Sequence, residues 1–357
     1  MSGFELSPEL TPVLSRFLAQ RSPVEVSREG GAARPALWGA LVEEVGVAGL
    51  LVPEDRGGQG ATVVELAAAV HETAWCGWSG PLVATAGVAV HLLRALDPHD
   101  ASGLQAAVAT GAIVVPALHE DSAGVSTATT ARLRGEGVTG SRLVVDSGTH
   151  ADSFLVAAVD DSGAPALVLV DGADAETRVT DAVDPGRGLA SVVLEDARAV
   201  VVAAGDPVPA AIADAWRLGA LLVAADALGS AGRVLELARD YSLERQQFGR
   251  PVASFQSIKH KLVDMFAELE TARSMVRHAV DEAASAAPGW QVAASAAKAR
   301  ACDAAMFVAR EGVQVHGGIG FTWEHEVSHH FRRVTTTRAL YGTPAHHRAL
   351  VAHGLGF

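Results

Sequence analysis

The hydrophobic period of this chain changes twice along its length, and that order constrains the fold more than any other feature. From Glu5 to about Val114 apolar residues recur at three- and four-residue steps. Leu10, Val13, Leu14, Phe17 and Leu18 form one such stripe, and Leu37, Leu41 and Val45 another. Turn clusters at Pro53–Gly58 and Asp97–Asp100 separate these helical segments. From about Val115 the period falls to two, with glycine and aspartate breaks between short β-branched runs: Ser126–Arg134, Gly140–Asp146, Phe154–Val159, Ala166–Val170, Ala190–Leu194 and Ala199–Ala203. Beyond Pro207-Val208-Pro209 the helical period returns in long segments around Ala213–Arg245, Phe255–Ala286 and Trp290–His316. The pattern predicts an α+β multidomain chain. Residues 1–114 form a helical domain, 115–206 a small barrel or sandwich, and 207–357 a helical bundle.

The chain has 357 residues, 49% apolar and 19% charged, enough for two or three cores at about 150 residues per domain. Lys+Arg 28 against Asp+Glu 41 gives a net charge of −13, so the long-range field repels nucleic acid and anionic membrane surfaces. Cys76 and Cys302 are far apart and belong to no CxxC pair, so neither a disulfide framework nor a zinc knuckle is expected. The first residues lack a basic start and apolar run, and no apolar stretch of roughly 18 residues is expected to span a bilayer. A cytoplasmic protein with no membrane and no nucleic-acid partner is the expectation.

Two motifs are read against their chemistry. His325-Glu326-Val327-Ser328-His329 spells HExxH, which on a helix sets two histidines on one face around zinc with glutamate as base. No acidic residue follows Glu326, and the third ligand is missing, so no metal is expected and the segment reads as a histidine-rich helix end at a subunit surface. Gly58-Gln59-Gly60 lacks the third glycine and the βαβ context of a dinucleotide fingerprint and reads as a turn before a helix.

More specific are two C-terminal segments. The first, Arg245-Gln246-Gln247-Phe248-Gly249-Arg250 continuing to Gln256, joins two long helices. The second is Gln314-Val315-His316-Gly317-Gly318-Ile319-Gly320-Phe321. An arginine offers several fixed donors to a pyrophosphate, and paired glycines let backbone N–H groups approach it. Together these segments resemble the RxxFG…Q and QxxGGxGF motifs of the acyl-CoA dehydrogenase family of flavoproteins. Leu51–Gly60 is similar to the family's VPEEYGGLG turn, and Ala117–Gly124 to its ALTEPGAG entry to the β domain. The resemblance spans the chain. It implies the acyl-CoA dehydrogenase fold: an N-terminal helical domain, a middle β-barrel and a C-terminal four-helix bundle. It also implies FAD held across a subunit interface. Arg245, Phe248 and Gln256 would contact pyrophosphate and nucleotide, and Gln314, Gly317 and Gly318 the ADP-ribose part of a neighbouring subunit's FAD.

The chain departs from the family at the reacting end. The reaction removes an α-proton with a carboxylate while hydride leaves the β-carbon. The family's YEGT segment reads Tyr341-Gly342-Thr343 here, with Gly342 or a deletion at the glutamate, and the alternative base position early in the first bundle helix matches Gly219. Asp214 and Asp226 flank that stretch out of register and are expected in solvated or capping roles. In the segment that beds the flavin ring, Val144 replaces an aromatic residue and Asp146 a threonine, and His119 stands at the threonine of TEP. No catalytic residue is therefore assigned. The expected function is a subunit of a heteromeric FAD-dependent acyl-CoA dehydrogenase, an α2β2 assembly in which a catalytic subunit supplies base and ring pocket. Acyl-CoA is the expected substrate and electron-transfer flavoprotein the acceptor. The alternatives are a self-sufficient flavin oxidoreductase with an unassigned base and a non-flavin binding or structural protein on the same scaffold.

Overall fold

The structure, a computed structural model, describes residues 6–21, 23–28, 34–118 and 130–357. The N-terminal helices are α1 (Leu10–Ala19), α2 (Pro23–Arg28), α3 (Arg34–Val45), α4 (Val63–Trp75), α5 (Val90–Leu96) and α6 (Leu104–Ala109), with a π-helical stretch at Leu82–Ala89 running into α5. A capping box starts α4: Thr62 Oγ1 accepts the Val64 amide at 3.2 Å while the Glu65 carboxylate accepts the Thr62 amide at 2.9 Å. The Pro53–Gly60 turn precedes this cap.

Among the described residues seven strands follow: β1 (Val114–Ala117), β2 (Arg132–Arg134), β3 (Gly137–Val145), β4 (Ser153–Val159), β5 (Pro165–Asp171), β6 (Glu176–Val179) and β7 (Ala190–Ala204). Neighbours pair in the cycle β4–β2–β3–β7–β5 and back to β4, so five strands close on themselves as a barrel, while β1 adds to β4 and β6 to β7. Closure leaves these five without a free edge. The two runs expected at Ala190–Leu194 and Ala199–Ala203 are one 15-residue strand, long enough to pair with β3, β5 and β6 in turn.

The C-terminal part comprises α7 (Pro207–Glu244), a two-stranded hairpin of β8 (Gln246–Gln247) and β9 (Arg250–Pro251), then α8 (Gln256–Ala284), α9 (Trp290–His316), α10 (Glu326–Ala339) and α11 (Pro344–Gly354). Helix α7 is the axis of the molecule, packed on α4, α8, α9 and α10. Among the described residues it alone is long and apolar enough to cross a bilayer, contrary to the expectation that no such stretch exists. Its central position explains the composition, since 89% of the apolar window is buried in the protein. Small residues admit its neighbours: a Cβ on Gly229 would stand 2.2 Å from the His71 carbonyl oxygen of α4.

Candidate functional site

The two C-terminal motifs meet at one end of the bundle. Helices α8 and α9 are joined by a short loop and run antiparallel, so α9 ends beside the turn between α7 and α8. Lys261 and Glu311 pair across that end, and the Tyr241 ring of α7 stacks on His316 of α9 with centroids 4.7 Å apart. Arg245 closes α7 and leads into the hairpin, whose two turn residues, Phe248 and Gly249, both have positive φ (52° and 76°). That geometry suits a two-residue hairpin turn but is uncommon for phenylalanine. It presents the Phe248 ring to solvent at 93% exposure, edge-on to Phe255 at 6.2 Å.

The other motif residues share this open surface. The Arg245 guanidinium is exposed and makes no hydrogen bond or ion pair with any described residue. Gln256, exposed, starts α8, with its Nε2 3.4 Å from His260 Nε2. Gln314 lies exposed on the last turn of α9. Gly317 takes φ 66° and ψ −141°, a conformation suited to glycine. A Cβ on Gly317 or Gly318 would meet nothing within 4 Å, so their backbone is open to approach. Exposed Ile319, Phe321 and Trp323 continue the apolar surface. A cationic side chain with no partner among the described residues, two uncrowded glycines and exposed aromatic rings fit the ADP end of a dinucleotide, although the Gly317 amide itself already donates to the Gln314 and Val313 carbonyls.

The other end of the site differs in kind. Tyr341, at φ 54°, turns its ring onto α7, where a Cβ on Gly219 would fall 2.4 Å from it. A Cβ on Gly342 would fall 2.8 Å from the Trp216 indole and 3.0 Å from His347 Nε2. Both positions that match the family's base are therefore backed by aromatic rings, and neither has room for a carboxylate side chain without rearrangement. Trp216 also stacks on His347, at 5.1 Å and 16°.

Behind Tyr341 lies a buried ionic cluster that the sequence did not reveal. Asp226 is 1% exposed and pairs with Arg187 at 2.8 Å and Arg333 at 2.5 Å. Arg187 Nη2 donates to Thr337 Oγ1 at 2.7 Å, and Arg333 Nη1 donates to the Trp78 carbonyl at 2.7 Å and to Ser79 Oγ. Burial raises the Asp226 carboxyl, and the two guanidinium groups more than reverse this, leaving it below its ordinary range. This corrects the solvated or capping role expected for Asp226. Asp214 is also engaged, 2.9 Å from His91 Nε2 and accepting from Gln291 Nε2 at 2.8 Å. Asp146 is buried and acts electrostatically on both Arg187 and the Tyr341 hydroxyl, whose pKa rises through burial first and Asp146 second. Val144 beside it has φ 53°, where β3 and β7 slip register. His119 lies outside the described residues. Among the described residues, the bed expected for a flavin ring thus holds a buried acid, an arginine and a phenol of this chain.

The HExxH segment is not a surface helix end. His325 caps α10, its Nδ1 accepting the Val327 amide at 3.2 Å, and His329 Nε2 is 2.9 Å from the Gly77 carbonyl oxygen. Glu326 pairs with Arg233 at 2.8 Å, and His329 and His330 are both buried. The two motif histidines therefore face different partners.

A helical domain, a closed barrel and a bundle with a glycine-and-arginine cradle at one end define a flavin-dependent dehydrogenase class, and comparison with known proteins agrees. The chain belongs to the acyl-CoA dehydrogenase family, whose members use FAD; the family's C-terminal domain description matches residues 210–356. Acyl-CoA dehydrogenase IpdE2 of Mycobacterium tuberculosis is 32% identical over 309 residues, covering 87% of this chain and 83% of that protein. Among solved structures, a steroid acyl-CoA dehydrogenase variant of Tcur3481–Tcur3483 superposes with TM-score 0.85 at 26% identity, covering 98% of both chains. The ChsE4–ChsE5 complex of Mycobacterium tuberculosis does so with TM-score 0.85 at 25% identity, covering 98% of this chain and 97% of that one.

Proposed function

We propose that this chain is the FAD-completing subunit of a heteromeric acyl-CoA dehydrogenase, with the catalytic base and flavin-ring pocket on a partner chain. One observation carries the reading: Tyr341 stands against Gly219 and Trp216 against Gly342, so both base positions are occupied by rings. The assembly oxidises an acyl-CoA thioester to its α,β-unsaturated form, FAD supplying hydride acceptance when bound. In this chain, Arg245 answers the pyrophosphate with fixed donors and Phe248 packs on the nucleotide. Gln256 and Gln314 offer side-chain amides, and the uncrowded backbone at Gly317 and Gly318 lets the ADP-ribose part approach closely. The open surface of these six residues supports an occupant from outside the chain. Heteromeric complexes among the structural relatives support a two-chain-type tetramer. Electron-transfer flavoprotein is the acceptor in this reading, and the cytoplasm the compartment. The test is reconstitution: acyl-CoA oxidation is measured for this chain alone, for a candidate catalytic acyl-CoA dehydrogenase subunit from the same organism, and for the mixture. Activity confined to the mixture supports the proposal. Turnover by this chain alone refutes it.

A further inference from the structure

Lys298 and Cys302 lie one turn apart on α9, on the same face, and neither belongs to the cofactor motifs. Both are 0% exposed. Lys298 Nζ donates to the Thr337 carbonyl oxygen at 2.7 Å and sits 3.2 Å from Cys302 Sγ. Burial, reinforced by Arg187, holds the ammonium below its ordinary pKa despite the opposing pull of Cys302 and Asp226. Its neutral form carries a lone pair beside the sulfur. The other cysteine, Cys76, closes α4 and is not bonded to Cys302, so the group beside the Cys302 sulfur is an amine and not a thiol.

We propose that Lys298 and Cys302 form an oxidative modification site, in which one oxygen atom bridges Nζ and Sγ. Dioxygen is the oxidant: R–NH2 + R′–SH + O2 gives R–NH–O–S–R′ + H2O. One N–H, the S–H and the O–O bond break, and N–O and O–S bonds form. Nitrogen and sulfur each give up two electrons; one oxygen atom stays in the bridge and the other leaves as water with the two protons. Dioxygen is small and uncharged, which suits a packed interior. The bridged nitrogen can no longer take up the ammonium charge beside the Arg187–Asp226–Arg333 cluster, so oxidation alters the electrostatics behind Tyr341.

The test is the intact mass of the full chain after exposure to air-saturated buffer, with and without subsequent dithiothreitol. The bridge adds one oxygen and removes two hydrogens, a gain of about 14 Da, distinct from the gains of sulfenic or sulfinic acid. The expected result is that gain, reversed by dithiothreitol, with tryptic cleavage after Lys298 lost while the gain persists. Cys302→Ala and Lys298→Met should each abolish it, and the wild-type measurement stands by itself if either variant fails to fold. An unchanged mass, oxygen added at Cys302 with Lys298 still cleaved, or a gain that survives dithiothreitol would overturn the proposal.

Discussion

Replacing Asp226 by asparagine keeps the side-chain shape and removes a carboxylate that pairs with both Arg187 and Arg333. Both guanidinium groups are at most 2% exposed, so the variant leaves two buried positive charges close together without their shared counter-ion. Losing one partner of a buried ion pair costs about 3–5 kcal/mol. At the entropy of unfolding of a chain this size, that lowers the melting temperature by roughly 4–7 °C. Because Arg187 precedes β7, Asp226 lies on α7, and Arg333 on α10 also holds the Trp78–Ser79 turn, the loss should loosen the contact among all three parts of the chain. Differential scanning fluorimetry at neutral pH measures the shift. The triple replacement Arg187→Met, Asp226→Leu, Arg333→Met is the control, since an apolar set of similar volume is often near neutral. If Asp226→Asn melts within about 1 °C of the parent, the reasoning fails; such a shift is typical of a surface site.

Other perturbations give distinct readouts. Arg245→Ala should leave the melting temperature unchanged, because the side chain is exposed, while removing charge-assisted hydrogen bonds worth about 1.5–3 kcal/mol each. FAD affinity of the assembled complex should then fall about ten- to a hundredfold by equilibrium dialysis. His347 is pushed down to about 3 from 6.5, by burial first, and binds fewer protons folded than unfolded between those values. Its contribution is therefore full above pH 6.5 and lost as pH falls towards 3, with a slope of up to about 1.4 kcal/mol per pH unit. Urea melts of His347→Leu should show a flatter pH dependence there, and an unchanged slope would count against the assignment. Metal analysis should find no zinc retained by His325 and His329, whose ring nitrogens face Val327 and Gly77; one equivalent lost in His325→Ala would contradict this.

The α, β, α order was legible because three- to four-residue and two-residue hydrophobic periods are properties of single segments. Helix α9 was read at its observed limits, Trp290–His316. Strand β6 escaped because all four residues are exposed and show no alternation, and β1 because Pro116 interrupts it. The hairpin at Gln246–Pro251 escaped because its turn places phenylalanine where glycine or asparagine is usual. A glycine at the second turn position was the available signal. The residues proposed for the cradle stood out because they lie in two short contiguous motifs, which the fold brings to one end of the bundle. The cluster behind Tyr341 could not, since Asp226 and Arg333 are 107 positions apart and a single sequence carries no record of that contact. That glycines, Gly219 and Gly342, stand at the two positions matching the family's base was visible in the sequence, whereas only packing reveals that aromatic rings fill the space in front of them.

The central claim is that this chain completes a flavin site and does not hold a flavin ring itself. The most direct measurement is the visible flavin absorbance per chain of the purified protein, alone and bound to its catalytic partner, before and after anaerobic addition of an acyl-CoA. The account predicts a colourless or poorly flavinated chain alone, and flavin in the complex that acyl-CoA bleaches. A stoichiometrically yellow homo-oligomer of this chain that bleaches with acyl-CoA would contradict it.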